Sequence, residues 1–404
     1  MNEIKMYSAR AVFEGMKRKL QQYLEAQYHI WDESLIADRA RLLEKEGGIF
    51  QEPRLEATPF YMPGKPYGEL RVPDAAKKIL NIACAHTITG IPEKPYQHQA
   101  ESLESFLGDD REIIVATGTG SGKTESFLMP ILGAMAIEAD SRPQSWLQPG
   151  CRALLLYPMN ALVNDQISRL RRILGQEEVA RLLQGARDHR ATFGMYTSRT
   201  PYPGEEDAKK NEIRLGSFIK KAFIDLPPEA EERLRKEGKW PAKDLKHYLS
   251  SSFETGPTDA EMLSRQEMQD RCPDLLVTNY SMLEYMLLRP IEASIFDQTA
   301  AWLESDKKNK FIVVLDEAHM YRGSGGAEVA YLLRRLHARL GVPRDRVRYI
   351  LTSASLGSSP EAKSRMKSFA ADLSGHEHTS REFLLITGER QRKAGERTAT
   401  PSEA

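Results

Sequence analysis

The spacing of apolar positions along this chain changes near residue 95. Upstream, Val12, Met16, Leu20 and Leu24 recur at helical spacing, and Ile36, Ala40 and Leu43 do so again before Gly47-Gly48. Two helices are expected there. From Phe50 to Pro73, prolines at 53, 59, 63, 66 and 73 enforce an irregular, extended path. Residues 1–92 carry no recognisable chemistry and read as a mainly helical accessory region, a cap or docking layer.

Downstream, short apolar runs alternate with helical segments. Ile113–Ala116, Ala153–Tyr157, Thr192–Tyr196, Leu275–Thr278, Phe311–Leu315 and Arg348–Thr352 each have the length of a buried strand. Most are followed by an amphipathic run. This alternation predicts an α/β fold with a parallel sheet flanked by helices, spanning residues 93–388. A polar insertion at about 198–271 interrupts the series, with charge clusters at Gly204–Arg214 and Glu229–Lys239. Long insertions of this kind are usually surface elaborations, so a partly helical one is expected. Residues 389–404 are rich in Arg, Glu, Thr and Ser without an apolar face and are expected to form a disordered tail.

Composition narrows the function. Of 404 residues, 41% are hydrophobic and 28% charged, enough to bury a sizeable core. Lys+Arg and Asp+Glu each total 57, so any nucleic-acid contact must come from a local track rather than a global positive field. Cys84, Cys151 and Cys272 lie far apart with no CxxC pair, which argues against a disulfide framework or a zinc site. The N-terminus has no apolar h-region and no apolar run reaches membrane-spanning length. A soluble, cytoplasmic protein without a membrane partner is expected.

Two segments carry chemistry. The run Ile113–Ala116 leads into Thr117-Gly118-Thr119-Gly120-Ser121-Gly122-Lys123-Thr124, with a helix expected from Glu125. Glycines let a backbone wrap phosphates, turning successive N–H groups inward at the mouth of a helix dipole. Lys123 would reach the β- and γ-phosphates of ATP, and the Thr124 hydroxyl would ligate Mg²⁺. The second segment is the apolar run Phe311–Leu315, which ends in Asp316-Glu317. Carboxylates at the C-terminal edge of an open sheet stand where such folds bind ligands. Asp316 would hold Mg²⁺, and Glu317 would orient and deprotonate the water attacking the γ-phosphate. A solvated carboxylate pair would look the same in isolation; the phosphate loop upstream decides between them.

Asp316-Glu317-Ala318-His319 resembles the DEAH box of superfamily 2 DEAD/DEAH-box helicases, and other motifs of that family follow in order. Tyr96-Gln97-His98-Gln99 is similar to the adenine-reading Q motif, with Gln99 as the base-edge reader. Tyr157–Gln166 resembles motif Ia, Thr278–Leu283 motif Ib, and Thr352-Ser353-Ala354-Ser355 motif III. The run Leu315 to Gly326, with Leu332–Leu336 after it, is similar to large bacterial helicases of DNA-repair and phage-defence systems. The resemblance covers residues 93 to 388. It implies a RecA-like P-loop NTPase lobe that couples ATP hydrolysis to movement on DNA, with RNA possible. In that family Pro158, Met159, Asn160, Thr278, Asn279 and Tyr280 would track the nucleic acid. His319, Thr352, Ser353 and Ala354 would couple hydrolysis to movement. The first loop position, usually Gly or Ala, is Thr117, an exchange that removes no ligand.

The family's second RecA-like lobe contributes arginine fingers from a Q-x-x-G-R-x-x-R-like motif, and nothing in this sequence matches it. The lobe is therefore expected elsewhere, in cis in a longer protein or in trans on another polypeptide. Two rival readings remain: a non-helicase P-loop NTPase, and an ATP-binding nucleic-acid adaptor without turnover of its own. The segments Pro158–Gln166 and Thr278–Leu283 count against the first. Arg169, Arg171 and Arg172 lie near the expected strand path and are secondary candidates for nucleic-acid contact.

Overall fold

Alternation within single strands builds a two-faced core. In β1 (Ile113–Ala116), Ile113 and Val115 join the apolar cluster on one face and Ile114 joins the cluster on the other. The same division holds in β2 (Ala153–Tyr157), where Leu155 and Tyr157 face one way and Leu154 and Leu156 the other. Strands apolar on both faces must be covered on both faces, and they are. Helices Asp74–Ala85, Glu125–Ser141 and Asn160–Leu174 cover the first face. Helices Tyr280–Leu288, Ala293–Ser305, Gly323–Leu340 and Pro360–Ser374 cover the second.

The remaining strands are β3 (Phe193–Tyr196), β4 (Glu261–Met262), β5 (Leu275–Asn279), β6 (Phe311–Leu315), β7 (Val347–Ser353) and β8 (Leu384–Thr387). All pairings are parallel, in the order β4-β3-β5-β2-β6-β7-β1-β8. The six strands expected from sequence form, with ends shifted by at most one residue. Two were not expected. β4 is two residues long and lies inside the polar insertion; β8 is four residues long with no helical pattern after it to mark it.

This computed structural model describes residues 8–45, 47–51, 60–118, 120–201, 212–354, 359–376 and 382–391. The chain divides into two compact units, Met1–Thr58 and Pro59–Ala404. The first holds the two expected helices, Ala9–Gln27 and Glu33–Glu44. Each has a side-chain N-cap: Ser8 accepts from the Ala11 N–H at 3.2 Å, and Asp32 accepts from Ser34 and Leu35 at 2.9 and 3.1 Å.

Residues 60–92, read from sequence as accessory region, belong with the sheet in the second unit. Helix Asp74–Ala85 was not expected; it buries Ile79, Leu80 and Ala83 completely in the core over helix Glu125–Ser141. The insertion is likewise more than surface elaboration. It has its own small core of Leu215, Ile219, Leu245 and Tyr248, and it supplies edge strand β4. Lys243 is buried there between Asp259 at 3.0 Å and Glu267 at 2.9 Å, so its charge is compensated twice. The cluster Glu229–Lys239 forms most of helix Pro228–Lys236, laced by Arg235–Glu231 and Lys236–Glu232 pairs. Residues 202–211, and with them most of the Gly204–Arg214 cluster, lie outside the described residues.

The start of the expected disordered tail is ordered. Gln391 N–H donates to the Phe60 carbonyl at 2.7 Å, and Met62 N–H donates to the Glu389 carbonyl at 3.0 Å. Residues 392–404 lie outside the described residues. Among the described residues, no helix is long and apolar enough to cross a membrane.

Candidate active site

The strand order sets the site. β1, β7 and β6 are neighbours, and all three end at the same edge of the sheet. The phosphate loop leaves β1, the acidic pair leaves β6, and Thr352-Ser353 closes β7 between them.

Gly120 and Gly122 have φ of 75° and 72°, a left-handed backbone that a side chain would strain. At Gly122 a Cβ would also stand 2.3 Å from Gln99 Nε2. Inside the loop, the buried hydroxyls of Thr117 and Ser121 share a hydrogen bond at 2.6 Å. The loop is clasped by helix Gln97–Leu103. His98 Nε2 lies 2.9 Å from the Ser121 carbonyl, and Gln99 Nε2 donates to the Gly122 carbonyl at 3.0 Å. Burial lowers the His98 pKa, keeping the imidazole neutral for this contact. Gln99 Oε1 accepts the Tyr96 N–H at 2.9 Å, so both ends of the expected adenine reader are engaged within the chain. Gly118, Lys123 and Thr124 belong to this loop, and Thr124 occupies the N-cap position of helix Glu125–Ser141 without a side-chain capping bond. Thr119 lies outside the described residues.

Asp316 is buried. Its carboxylate accepts from the Thr352 hydroxyl and, at 3.0 Å, from the Glu317 N–H. Burial raises its pKa and the Glu317 charge adds to that, while the Thr352 bond opposes them. A buried carboxylate with a second acid beside it is a donor set that a divalent cation would offset, and Thr124 offers a hydroxyl on the loop side. Glu317 takes a left-handed conformation, φ 50° and ψ 44°, which costs a non-glycine residue about 1 kcal/mol or more. That turn swings its carboxylate off the strand axis to lie 3.4 Å from Lys123 Nζ and 3.3 Å from His319 Nδ1. The Ala354 N–H donates to the same His319 nitrogen at 3.4 Å, tying the acidic turn to the end of β7. Ser353 is fully buried, and its Oγ has no hydrogen-bond partner among the described residues. Ser355 lies outside them.

The other half of the edge is built by β2 and β5, where Tyr157 stands opposite Asn279. Asn279 Nδ2 donates to Asn160 Oδ1 at 2.5 Å, and Asn279 Oδ1 caps the Met282 N–H at 2.8 Å. Pro158, Met159 and Asn160 meet Asn279 around a cleft of about 280 Å³, completed by Ser198, Ser281, Met282 and Tyr285. Tyr280 is at the surface beside it, whereas Thr278 is fully buried and spends its hydroxyl on the Tyr196 carbonyl at 2.6 Å. Ser198 and Tyr285 are lining residues that sequence reasoning missed, since neither falls in a recognised motif. Arg171 forks onto Glu261 at 2.8 and 2.7 Å, and Arg169 pairs with Glu125 and Asp165, so both arginines are engaged internally.

Residues 96–196 match the DEAD/DEAH box helicase family, a span that runs from Tyr96 through the phosphate loop and the Pro158–Asn160 edge to the end of β3. The chain carries a DEAD/DEAH box helicase domain. Its fold is a RecA-like lobe: a wholly parallel sheet with the phosphate loop after β1 and the acidic pair after β6. Over 421 aligned positions the chain is 49% identical to Druantia protein DruE of Escherichia coli (strain UMEA 4076-1), covering 96% of this chain and 22% of that protein. It is 23% identical to an uncharacterised ATP-dependent helicase of Methanocaldococcus jannaschii, over 76% of this chain and 33% of the relative. A crystal structure of the DUF1998 helicase MrfA bound to DNA aligns with 88% of this chain and 34% of its own, at 19% identity and a TM-score of 0.44. The chain spans only 22% to 34% of the length of these proteins.

Proposed function

We propose that this chain is the ATP-binding lobe of an ATP-dependent nucleic-acid helicase or translocase. One observation carries the reading: a phosphate loop and an acidic pair share a sheet edge with the cleft at Met159, Asn160 and Asn279. In this reading, nucleotide chemistry and a strand path would be neighbours on one sheet edge. Lys123, now held by Glu317, would turn its charge to the β- and γ-phosphates of ATP. Thr124 and Asp316 would hold Mg²⁺, whose charge would polarise the phosphates when bound. Glu317 would accept the proton of the attacking water, since its raised turn points it into the space beside Lys123. His319, Thr352, Ser353 and Ala354 would pass changes at the acidic turn to the end of β7, through the Thr352–Asp316 and Ala354–His319 bonds.

Full turnover in this reading needs transition-state cations from a second RecA-like lobe, in cis or in trans. An arginine finger is worth on the order of 10³–10⁵ in turnover in related P-loop enzymes. DNA is the preferred substrate class, with RNA as the alternative; repair or phage defence in the cytoplasm is the setting that the sequence resemblance implies. The test is a steady-state ATPase assay on the 404-residue chain, with and without single-stranded DNA and RNA. Nucleic acid should bind and ATP should bind, with slow hydrolysis. Fast turnover indifferent to nucleic acid would point to a non-helicase NTPase, and ATP binding with no hydrolysis even in the presence of a facing lobe would point to an adaptor.

A further inference from the structure

β8 runs parallel to β1 in register, with Thr387 opposite Ala116, so the chain leaving β8 departs beside the chain entering the phosphate loop. Gly388 permits the approach. A Cβ there would stand 2.7 Å from Cε1 of Tyr61 and 3.1 Å from Cγ2 of Thr117. The following residues are held in place by Phe60–Met62, through the two backbone bonds that join Gln391 to Phe60 and Met62 to Glu389. Phe60–Gly64 is pinned along its other edge as well: Gln97 N–H donates to the Met62 carbonyl at 2.8 Å, and Gly64 N–H donates to the Pro95 carbonyl at 2.7 Å. Tyr61, nearly fully buried, packs its ring against His98 and Tyr96 at centroid distances of 5.3 and 5.7 Å. The result is a short strap across the entry of the phosphate loop.

Arg390 rides on that strap. Its Nη2 lies 3.9 Å from where a Cβ on Gly118 would be. The side chain is exposed and has no hydrogen-bond or carboxylate partner among the described residues. Lys123, at the exit end of the loop, is by contrast already paired with Glu317. A nucleoside triphosphate brings several negative charges to this loop, and a guanidinium presents a fork of donors matched to phosphate oxygens.

We propose that Arg390 is a nucleotide-contact residue, binding phosphate oxygens of a nucleoside triphosphate held on loop 117–124. It would supply from within this lobe a second cation besides Lys123. The proposal rests on the reading of that loop as the nucleotide site. The test is calorimetric binding of ATP, ADP and adenosine to the whole chain and to Arg390→Ala, Arg390→Lys and Lys123→Ala, with thermal unfolding as the folding control. Arg390→Ala is expected to weaken ATP about ten- to hundredfold, the scale of one charge-assisted contact, while adenosine binding changes little. Arg390→Lys should recover part of the loss. Unchanged ATP affinity in Arg390→Ala beside lost affinity in Lys123→Ala would overturn the proposal alone. Equal losses for ATP and adenosine would also overturn it, leaving the strap a structural element. ATP binding untouched in both variants would overturn the nucleotide-site reading and the proposal with it.

Discussion

Lys123 Nζ lies 3.4 Å from Glu317 Oε1, although their parent loops leave strands separated by β7. Each side chain offsets the other's charge, and a bound phosphate would compete with Glu317 for Lys123. Lys123→Ala should therefore abolish measurable ATP binding without unfolding the chain, because the side chain contributes charge and little packing. Equal ATP affinity for mutant and parent by calorimetry would contradict this.

Glu317→Gln should keep ATP and Mg²⁺ binding and lower the turnover of the chain assembled with its facing lobe, since only the base is removed. Loss of Mg²⁺-dependent affinity instead would exchange the roles given to Asp316 and Glu317. Binding titrations with and without Mg²⁺, beside single-turnover hydrolysis, separate the two.

Gln99 bonds the loop carbonyl of Gly122 and closes the N-terminus of its own helix through Tyr96. Gln99→Ala should therefore loosen the loop and weaken ATP and GTP alike, by about 1–2 kcal/mol, the scale of one lost hydrogen-bond set. Loss of ATP affinity with GTP unchanged would instead make Gln99 an adenine reader that swings away from the loop on binding.

Tyr285 is 59% exposed at the cleft shared by Met159, Asn160 and Asn279, where a base could stack on its ring. Tyr285→Ala should weaken single-stranded nucleic-acid binding by about 1–3 kcal/mol and leave ATP affinity unchanged. Fluorescence anisotropy with a labelled oligonucleotide reads the first, calorimetry the second. No change in anisotropy would remove this cleft from the strand path.

His337 Nε2 meets the Tyr349 hydroxyl at 2.7 Å, and burial, reinforced by Arg344 and Arg334, pulls its pKa down to about 4. The unfolded chain's imidazole titrates near 6.5. A group depressed in the fold stabilises it above the unfolded value and withdraws that support as pH falls from about 6.5 toward 4. Denaturant unfolding across that window should show falling stability, and His337→Gln, which keeps a donor but cannot titrate, should show a shallower fall. Identical slopes would place the pH dependence elsewhere.

Local pattern was enough for much of this molecule. Six buried strands were legible because each is a four- to seven-residue apolar run whose neighbours on both faces are apolar, a property written in the run itself. The phosphate loop and the acidic pair were legible for the same reason, since their chemistry needs residues adjacent in sequence. Tertiary structure decided whatever depends on strand order or on contacts between distant segments. β4 is too short to announce itself and β8, as long as β1, has no helical run after it to mark it; both exist because β3 and β1 offer them an edge. Glu261 reads as one more charge of a polar insertion until its strand places it under Arg171. Only the fold shows that β5 buries Thr278 and that Gln99 bonds the phosphate loop. Arg390 reads as part of a charged tail; only the pairing of β8 with β1 brings it to the phosphate loop, 272 residues after Gly118 in the chain. Periodicity records which face a residue turns to its own neighbours, whereas the partner across the sheet is chosen by the order in which buried strands can pack, and no single segment carries that order.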